Sequence, residues 1–159
     1  MNAFPQDAAT ILVVDSDPLM LTAVAAVLNM SGYECHCASD AEAALKACRG
    51  LSLDLIICDL DIDSDGTELG RELRQQPQCE DLPFIFVSSA PASDNVQRTR
   101  DAGGEYFLRK PYDPDVLLEL VDKTLWMPHL VNTRLERGGQ TMLRPATPAF
   151  ADERLAVGD

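Results

Sequence analysis

The sequence predicts one α/β domain, a doubly wound, mostly parallel sheet of five strands covered on both faces by five helices. Short apolar runs alternate with helical stretches along the chain, and their spacing is nearly constant. This alternation indicates βαβ units with right-handed crossovers. The length of 159 residues fits one such domain and a tail.

The first strand and helix have the clearest signals. Residues 10–14, Thr-Ile-Leu-Val-Val, are a continuous apolar run of the kind that is buried on both faces of a sheet. Asp17 is suited to the N-cap of the following helix and Pro18 to its first position. An apolar stripe follows, formed by Leu19, Leu21, Val24, Val27 and Leu28, and Ser31-Gly32 ends the helix.

The other elements follow in order. Strands are predicted at residues 33–38, 53–58, 83–87 and 105–108. The second helix is capped by Ser39 or Asp40 and stops at Gly50, and the third carries Leu69 and Leu73 and ends before Pro77. The last two helices are predicted at residues 94–102 and 113–126.

The character of the chain changes after residue 127. Residues 128–159 contain Gly138-Gly139, three prolines and no sustained period, which predicts a flexible tail with a short helix near residues 130–137. We therefore expect a domain at residues 9–127 and a tail at 128–159 without an output domain.

Charge and composition exclude several classes of function. The net charge is −13, and the tail, with four basic and four acidic side chains, contributes none of it. A body this acidic argues against nucleic-acid binding. The sequence has no membrane-length apolar run and no secretory start, so we expect a cytoplasmic protein without a membrane partner. Five cysteines, an odd number, indicate no disulfide framework.

Three charged residues lie at the ends of apolar runs. Asp15, Asp59 and Lys110 each follow a predicted strand. If these strands are parallel neighbours, their carboxyl ends share the edge where open α/β sheets bind ligands. A nucleophilic carboxylate, a metal-holding carboxylate and a phosphate-pairing ammonium would then share one crevice.

These pieces resemble the receiver domain of two-component response regulators over about residues 9–127. The matching segments are Ile11-Leu12-Val13-Val14-Asp15, Asp54-Leu55-Ile56-Ile57-Cys58-Asp59, Pro83-Phe84-Ile85-Phe86-Val87-Ser88 and Phe107-Leu108-Arg109-Lys110-Pro111. The resemblance implies a flavodoxin-like fold and Mg²⁺ dependence. It also implies phosphoryl transfer from a histidine kinase or phosphotransfer protein.

The resemblance also implies roles for single residues. Asp59 is the phosphoacceptor, and Asp15, Asp59 and the main-chain carbonyl of Asp61 hold Mg²⁺. Lys110 pairs with the phosphoryl group and Ser88 donates its hydroxyl to it. Ser88 and Phe107 form the switch, and a cis bond is expected before Pro111.

Two of the departures from the family pattern lie at the metal-binding positions and in the loop beside them. Ser16 stands where the family usually has a second acid, so we expect weaker Mg²⁺ binding unless Asp17 or Asp61 compensates. The loop after Asp59 lacks the usual proline and is one residue short before Asp65-Gly66.

The favoured function is a stand-alone phosphoacceptor, not an enzyme in its own right, that signals to another protein, its own dimer or the tail. A degenerate receiver that binds partners without phosphorylation is the main alternative. Cys58-Asp59-Leu60-Asp61 also resembles the first motif of haloacid dehalogenase-type phosphohydrolases. Asp61-Ile62-Asp63-Ser64-Asp65-Gly66 with Glu72 matches the spacing of an EF-hand calcium loop.

Overall fold

The computed structural model describes residues 8–62, 66–90, 92–101 and 106–126, with the backbone alone at residues 66 and 92–96. In these ranges five strands alternate with five helices: β1 Thr10–Val14, α1 Pro18–Met30, β2 Glu34–Ala38, α2 Ala41–Gly50, β3 Leu55–Asp59, α3 Gly66–Gln75, β4 Phe84–Ser88, α4 Ala92–Asp101, β5 Tyr106–Arg109 and α5 Pro114–Trp126. The predicted tail at 128–159 lies outside the described residues.

All neighbouring strands are parallel, and their order across the sheet is β2-β1-β3-β4-β5. This is the flavodoxin-like order of doubly wound sheets. The predicted fold class is therefore confirmed, and β3, which ends in Asp59, lies at the centre of the sheet.

The core has two layers because side chains of a strand alternate between the faces of the sheet. Ile11 and Val13 of β1 belong to a cluster with Val24 of α1 and Leu117 of α5. The alternate β1 residues Leu12 and Val14 belong to a second cluster, with Ala44 of α2 and Leu73 of α3. Burial on both faces explains why β1, β3 and β4 are almost continuously apolar.

Capping residues set the ends of the first two helices. The side chain of Asp17 accepts from the amide of Leu19 at 3.0 Å, and Pro18 opens α1 as predicted. Asp40, one of the two predicted caps, accepts from the amide of Ala43 at 2.8 Å. Gly32 follows α1 with a φ of 98°, a conformation that L side chains disfavour.

Two features differ from the sequence analysis. A short 3-10 helix at Pro77–Cys79, which the sequence analysis did not predict, leads into β4. Its Cys79 pairs with Cys48 of α2 in one disulfide, which the expectation of no disulfide framework did not include. These cysteines are 31 residues apart and meet only when α2 and the short helix pack on the same face.

No helix in the described ranges is long and apolar enough to cross a bilayer.

Candidate functional site

Three strand ends place the charged residues of the site. Asp59 is the last residue of β3, and Asp15 follows the neighbouring strand β1. Lys110 follows β5, and its amide donates to the carbonyl of Ser88 at the end of β4, at 2.8 Å. The peptide bond between Lys110 and Pro111 is cis, as the family resemblance implied.

Lys110 joins the two carboxylates. Its Nζ lies 2.9 Å from Oδ2 of Asp15 and 3.0 Å from Oδ2 of Asp59. Both aspartates are only 2% exposed. Two buried carboxylates repel each other and lose hydration, so a shared ammonium is what makes this arrangement tolerable.

Backbone amides hold the remaining oxygens of the same carboxylates. The amide of Asp17 donates to Oδ1 of Asp15 at 2.9 Å, and the amide of Asp61 donates to Oδ1 of Asp59 at 2.8 Å. One oxygen of each carboxylate therefore accepts from the amide two residues later in the chain, and the other oxygen pairs with the ammonium of Lys110. This fixes the orientation of both groups.

Burial has opposite outcomes at Asp59 and Lys110. It raises the pKa of Asp59 above its ordinary value, although the amide of Asp61 and the ammonium of Lys110 act in the opposite direction. Burial alone would lower the pKa of Lys110, but its hydrogen bonds to Asp15 and Asp59 outweigh this and the pKa is raised. Lys110 therefore remains a cation at neutral pH.

The carboxylate of Asp61 does not join that pair. It accepts hydrogen bonds from Oγ of Ser88, from the amide and Oγ of Ser89, and from Nη1 of Arg98. Partial burial by itself raises the pKa of Asp61, but the Ser89, Ser88 and Arg98 hydrogen bonds outweigh it, and the pKa lies below its ordinary value. The prediction for Asp61 concerned its main-chain carbonyl, whose role stays a prediction.

The two predicted switch residues are both buried. Ser88 ends β4 and is fully enclosed. Phe107 is 4% exposed, and it lies on the opposite face of β5 from Tyr106 and Leu108, which belong to the cluster under α1 and α5. The ring of Phe107 is therefore already buried in the unmodified protein, and its switching role stays a prediction.

The donor set fits a magnesium ion only in part. Asp15 and Asp59 offer two carboxylates, but Ser16 is exposed and the Asp17 carboxylate caps α1. The Asp61 carboxylate is bound to Ser88 and its neighbours. No group of three or more histidine, cysteine, aspartate or glutamate side chains in the described ranges could hold a metal. A main-chain carbonyl and water must supply the other ligands, as Mg²⁺ commonly permits.

Sequence reasoning missed three residues of this site. Arg98 of α4 reaches Asp61 from 37 positions away, and nothing in the sequence signals that contact. Ser89 adjoins Ser88 and could have been included with it. Tyr112 lies two positions after Lys110, and the pKa of its phenol is raised by burial and then by the charges of Asp15 and Asp59.

A family model described as the response regulator receiver domain matches residues 11–122. The chain belongs to this family. Receiver domains of two-component systems are signalling modules with an acidic pocket that typically binds Mg²⁺. The matched residues include Asp59. The motif around Asp59 is therefore part of a receiver domain, which argues against the haloacid dehalogenase-type alternative.

Known proteins support the assignment. The chain is 30% identical over 110 residues to the phosphate regulon transcriptional regulatory protein PhoB of Pseudomonas aeruginosa, covering 69% of this chain and 48% of that protein. It is 30% identical over 113 residues to the autoinducer sensor kinase/phosphatase CqsS of Vibrio cholerae, covering 70% and 16%. The chemotaxis protein CheY4 of Vibrio cholerae has a TM-score of 0.70 at 27% identity, covering 74% of this chain and 99% of that one.

The chain spans about half the length, or less, of the curated relatives it matches. The similarity therefore describes the receiver domain that these proteins share. The EF-hand alternative rests largely on Asp63, Ser64 and Asp65, which lie outside the described residues.

Proposed function

We propose that this receiver domain is a phosphoacceptor of a two-component or phosphorelay system. Asp59 takes a phosphoryl group from a histidine kinase or a phosphotransfer protein, and the product signals by contact with another protein. The observation that carries the proposal is the pairing of Lys110 with Asp15 and Asp59 at 2.9 and 3.0 Å. We also propose a cytoplasmic location and a receiver unit at residues 9–127.

The geometry suits nucleophilic attack by Asp59. A carboxylate oxygen of Asp59 attacks the phosphorus of phosphohistidine, and the O–P bond forms as the P–N bond breaks. The imidazole nitrogen leaves with the electron pair of the broken bond and takes a proton from water. Attack does not require a general base, because the nucleophile is a carboxylate held in an ion pair with Lys110.

Lys110 opposes the main electrostatic barrier to this step. Two anions must approach each other, and the ammonium already lies 3.0 Å from the attacking carboxylate. A Mg²⁺ ion held by Asp15, Asp59 and the main-chain carbonyl of Asp61 would further neutralise the phosphoryl oxygens. Ser88 ends β4, which lies next to β3 in the sheet. Its hydroxyl can donate to the transferred group.

Labelling with a small phosphodonor tests the proposal. The purified protein is incubated with acetyl phosphate and Mg²⁺, and its intact mass is measured. We expect one phosphoryl adduct, which Asp59→Asn abolishes because the amide is not a nucleophile. Asp81→Asn is the matched control, since Asp81 is an exposed carboxylate away from the site, and it should label normally.

A degenerate receiver is the second candidate, and a specific observation favours it. Ser16 is exposed and Asp17 is committed to capping α1, so neither supplies a third carboxylate for metal. If no adduct forms at any Mg²⁺ concentration, phosphoacceptance is wrong for the natural sequence. Ser16→Asp then shows whether the missing carboxylate is the reason, since it should restore labelling.

A further inference from the structure

A second polar cluster surrounds the hydroxyl of Ser88. The Asp61 carboxylate accepts from Oγ of Ser88 at 2.9 Å and from the amide of Ser89 at 2.9 Å. Nη1 of Arg98 lies 3.1 Å from Oδ1 of Asp61 and 3.1 Å from Oγ of Ser88. Nη2 of Arg98 donates to the carbonyl of Leu60. The guanidinium thus ties α4 to the loop after β3 and to the end of β4.

The hydrogen-bonding capacity of Ser88 is used up in this cluster. Its hydroxyl has one proton, which the Asp61 carboxylate accepts, and its oxygen accepts from Arg98 and from the amide of Ala90 at 3.1 Å. Within the described ranges, Ser88 makes no side-chain hydrogen bond to Asp59 or Lys110. The hydroxyl is therefore committed away from the nucleophile.

We propose that Asp61 and Arg98 are positioning residues that restrain Ser88 in the unmodified protein and thereby limit phosphorylation of Asp59. This inference rests on the proposed function. A phosphoryl group on Asp59 and the carboxylate of Asp61 compete for the same hydroxyl proton. Hydrogen bonds to a carboxylate are among the stronger ones, so releasing Ser88 opposes the phosphorylated state.

The fixed position of Asp61 depends on the shape of its partner as well as on its charge. Arg98 contacts the carbonyl of Leu60 with one nitrogen, and Asp61 and Ser88 with the other. A lysine carries the same charge but lacks the planar fork that makes these contacts together. Arg98→Lys therefore loosens the restraint without changing the net charge near Asp59.

The test compares phosphorylation of Arg98→Lys with that of the wild type. Both are incubated with acetyl phosphate and Mg²⁺ at a donor concentration that labels the wild type partially, and intact mass gives the ratio of modified to unmodified protein. We expect this ratio to rise about fivefold, the factor that corresponds to the net contribution of one hydrogen bond. Arg100→Lys, an exposed position on the same helix, is the matched control and should leave the ratio unchanged.

The same substitutions made in the Ser88→Ala protein separate an effect on the position of Ser88 from electrostatic or structural effects. In Ser88→Ala the hydroxyl is absent, so adding Arg98→Lys should no longer change the ratio. Asp61→Asn provides an independent variant that should act in the same direction and also lose its effect in Ser88→Ala. An equal effect with and without Ser88 would overturn the inference, because the change would then be electrostatic or structural.

The outcomes also distinguish this inference from the proposed function. If the wild type is labelled and neither Arg98→Lys nor Asp61→Asn changes the ratio, the restraint is wrong and phosphoacceptance stands. If the variants are labelled and the wild type is not, the restraint is strong and the inference is supported. If neither the wild type nor any variant is labelled, the proposed function fails and the inference fails with it.

Discussion

The carboxylate of Asp59 is a charged group in a buried position. It is 2% exposed, its pKa is raised chiefly by burial, and it shares one ammonium with Asp15. The carboxylate that we propose as the phosphoacceptor therefore lies in an environment that opposes its charge. This conflict between function and stability is common at active sites, where groups are held in costly environments.

Replacing this carboxylate should stabilise the protein. Asp59→Asn keeps the shape and removes one of two buried carboxylates while Lys110 stays paired with Asp15, so we expect the free energy of unfolding to rise by about 1 kcal/mol near pH 7. Because the folded pKa of Asp59 is raised, protonation favours the folded state. The wild type therefore regains this stability as the pH falls through the raised pKa towards the ordinary value of 3.8.

Urea unfolding at pH 7 and at about pH 4 measures both effects. The advantage of Asp59→Asn should be present at pH 7 and smaller at the lower pH. Asp81→Asn controls for a change of net charge at an exposed position. A variant less stable than the wild type at pH 7 would show that the pairing with Lys110 outweighs the cost of burial.

The parts of the site that the sequence predicted are those that depend on strand ends. Asp15, Asp59 and Lys110 each follow an apolar run, and parallel pairing brings those ends to one edge. The contact between Arg98 and Asp61 depends instead on how α4 lies over the loop after β3. No local pattern encodes that angle, so the restraint on Ser88 could be found only from the structure.

At the scale of elements, boundaries were predicted well where a side chain fixes them. Asp17, Pro18 and Gly32 define α1, and the observed helix Pro18–Met30 agrees with them. The start of β3 was predicted two residues too early. Leu53 is apolar and buried, but it precedes the first residue of the strand, Leu55. The apolar pattern shows burial there but not where pairing begins.

The turn after α1 provides a test at this scale. Gly32 has a φ of 98°, and the amide of Tyr33 that follows it donates to the carbonyl of Leu28 at 3.0 Å to close the helix. Gly32→Ala should lower the free energy of unfolding by about 1 kcal/mol, because an alanine disfavours this conformation. Chemical unfolding measures the change.

Gly50, the last residue of α2, is a matched control for this substitution. Its φ lies outside the left-handed region, and an added Cβ would have no atom within 4 Å. Gly50→Ala should therefore leave stability unchanged or raise it slightly, since alanine favours helix. Equal losses at both positions would show that conformational freedom, rather than the positive φ, explains the effect.

At the scale of the whole molecule, the excess of acidic side chains is the dominant feature. The chain contains 26 acidic and 13 basic residues, and its net charge is −13. Ion pairs at the surface, such as Arg71–Glu68 and Lys123–Glu119, contribute little on their own. Mutual repulsion between surface carboxylates should therefore exceed the attraction within these pairs and oppose the compact state.

Screening this repulsion should stabilise the protein. Raising NaCl from about 10 mM to about 200 mM shortens the Debye length from about 30 Å to less than 10 Å. We expect the thermal midpoint to rise by about 3 °C, which corresponds to about 1 kcal/mol for a domain of this size. The melts are run with a chelator, so that divalent cations at Asp15 and Asp59 do not contribute. KCl should reproduce the effect of NaCl, because screening does not depend on which monovalent cation is added. A midpoint that falls with added salt would mean that attraction within ion pairs, including that of Lys110 with its two carboxylates, outweighs the repulsion summed over the surface.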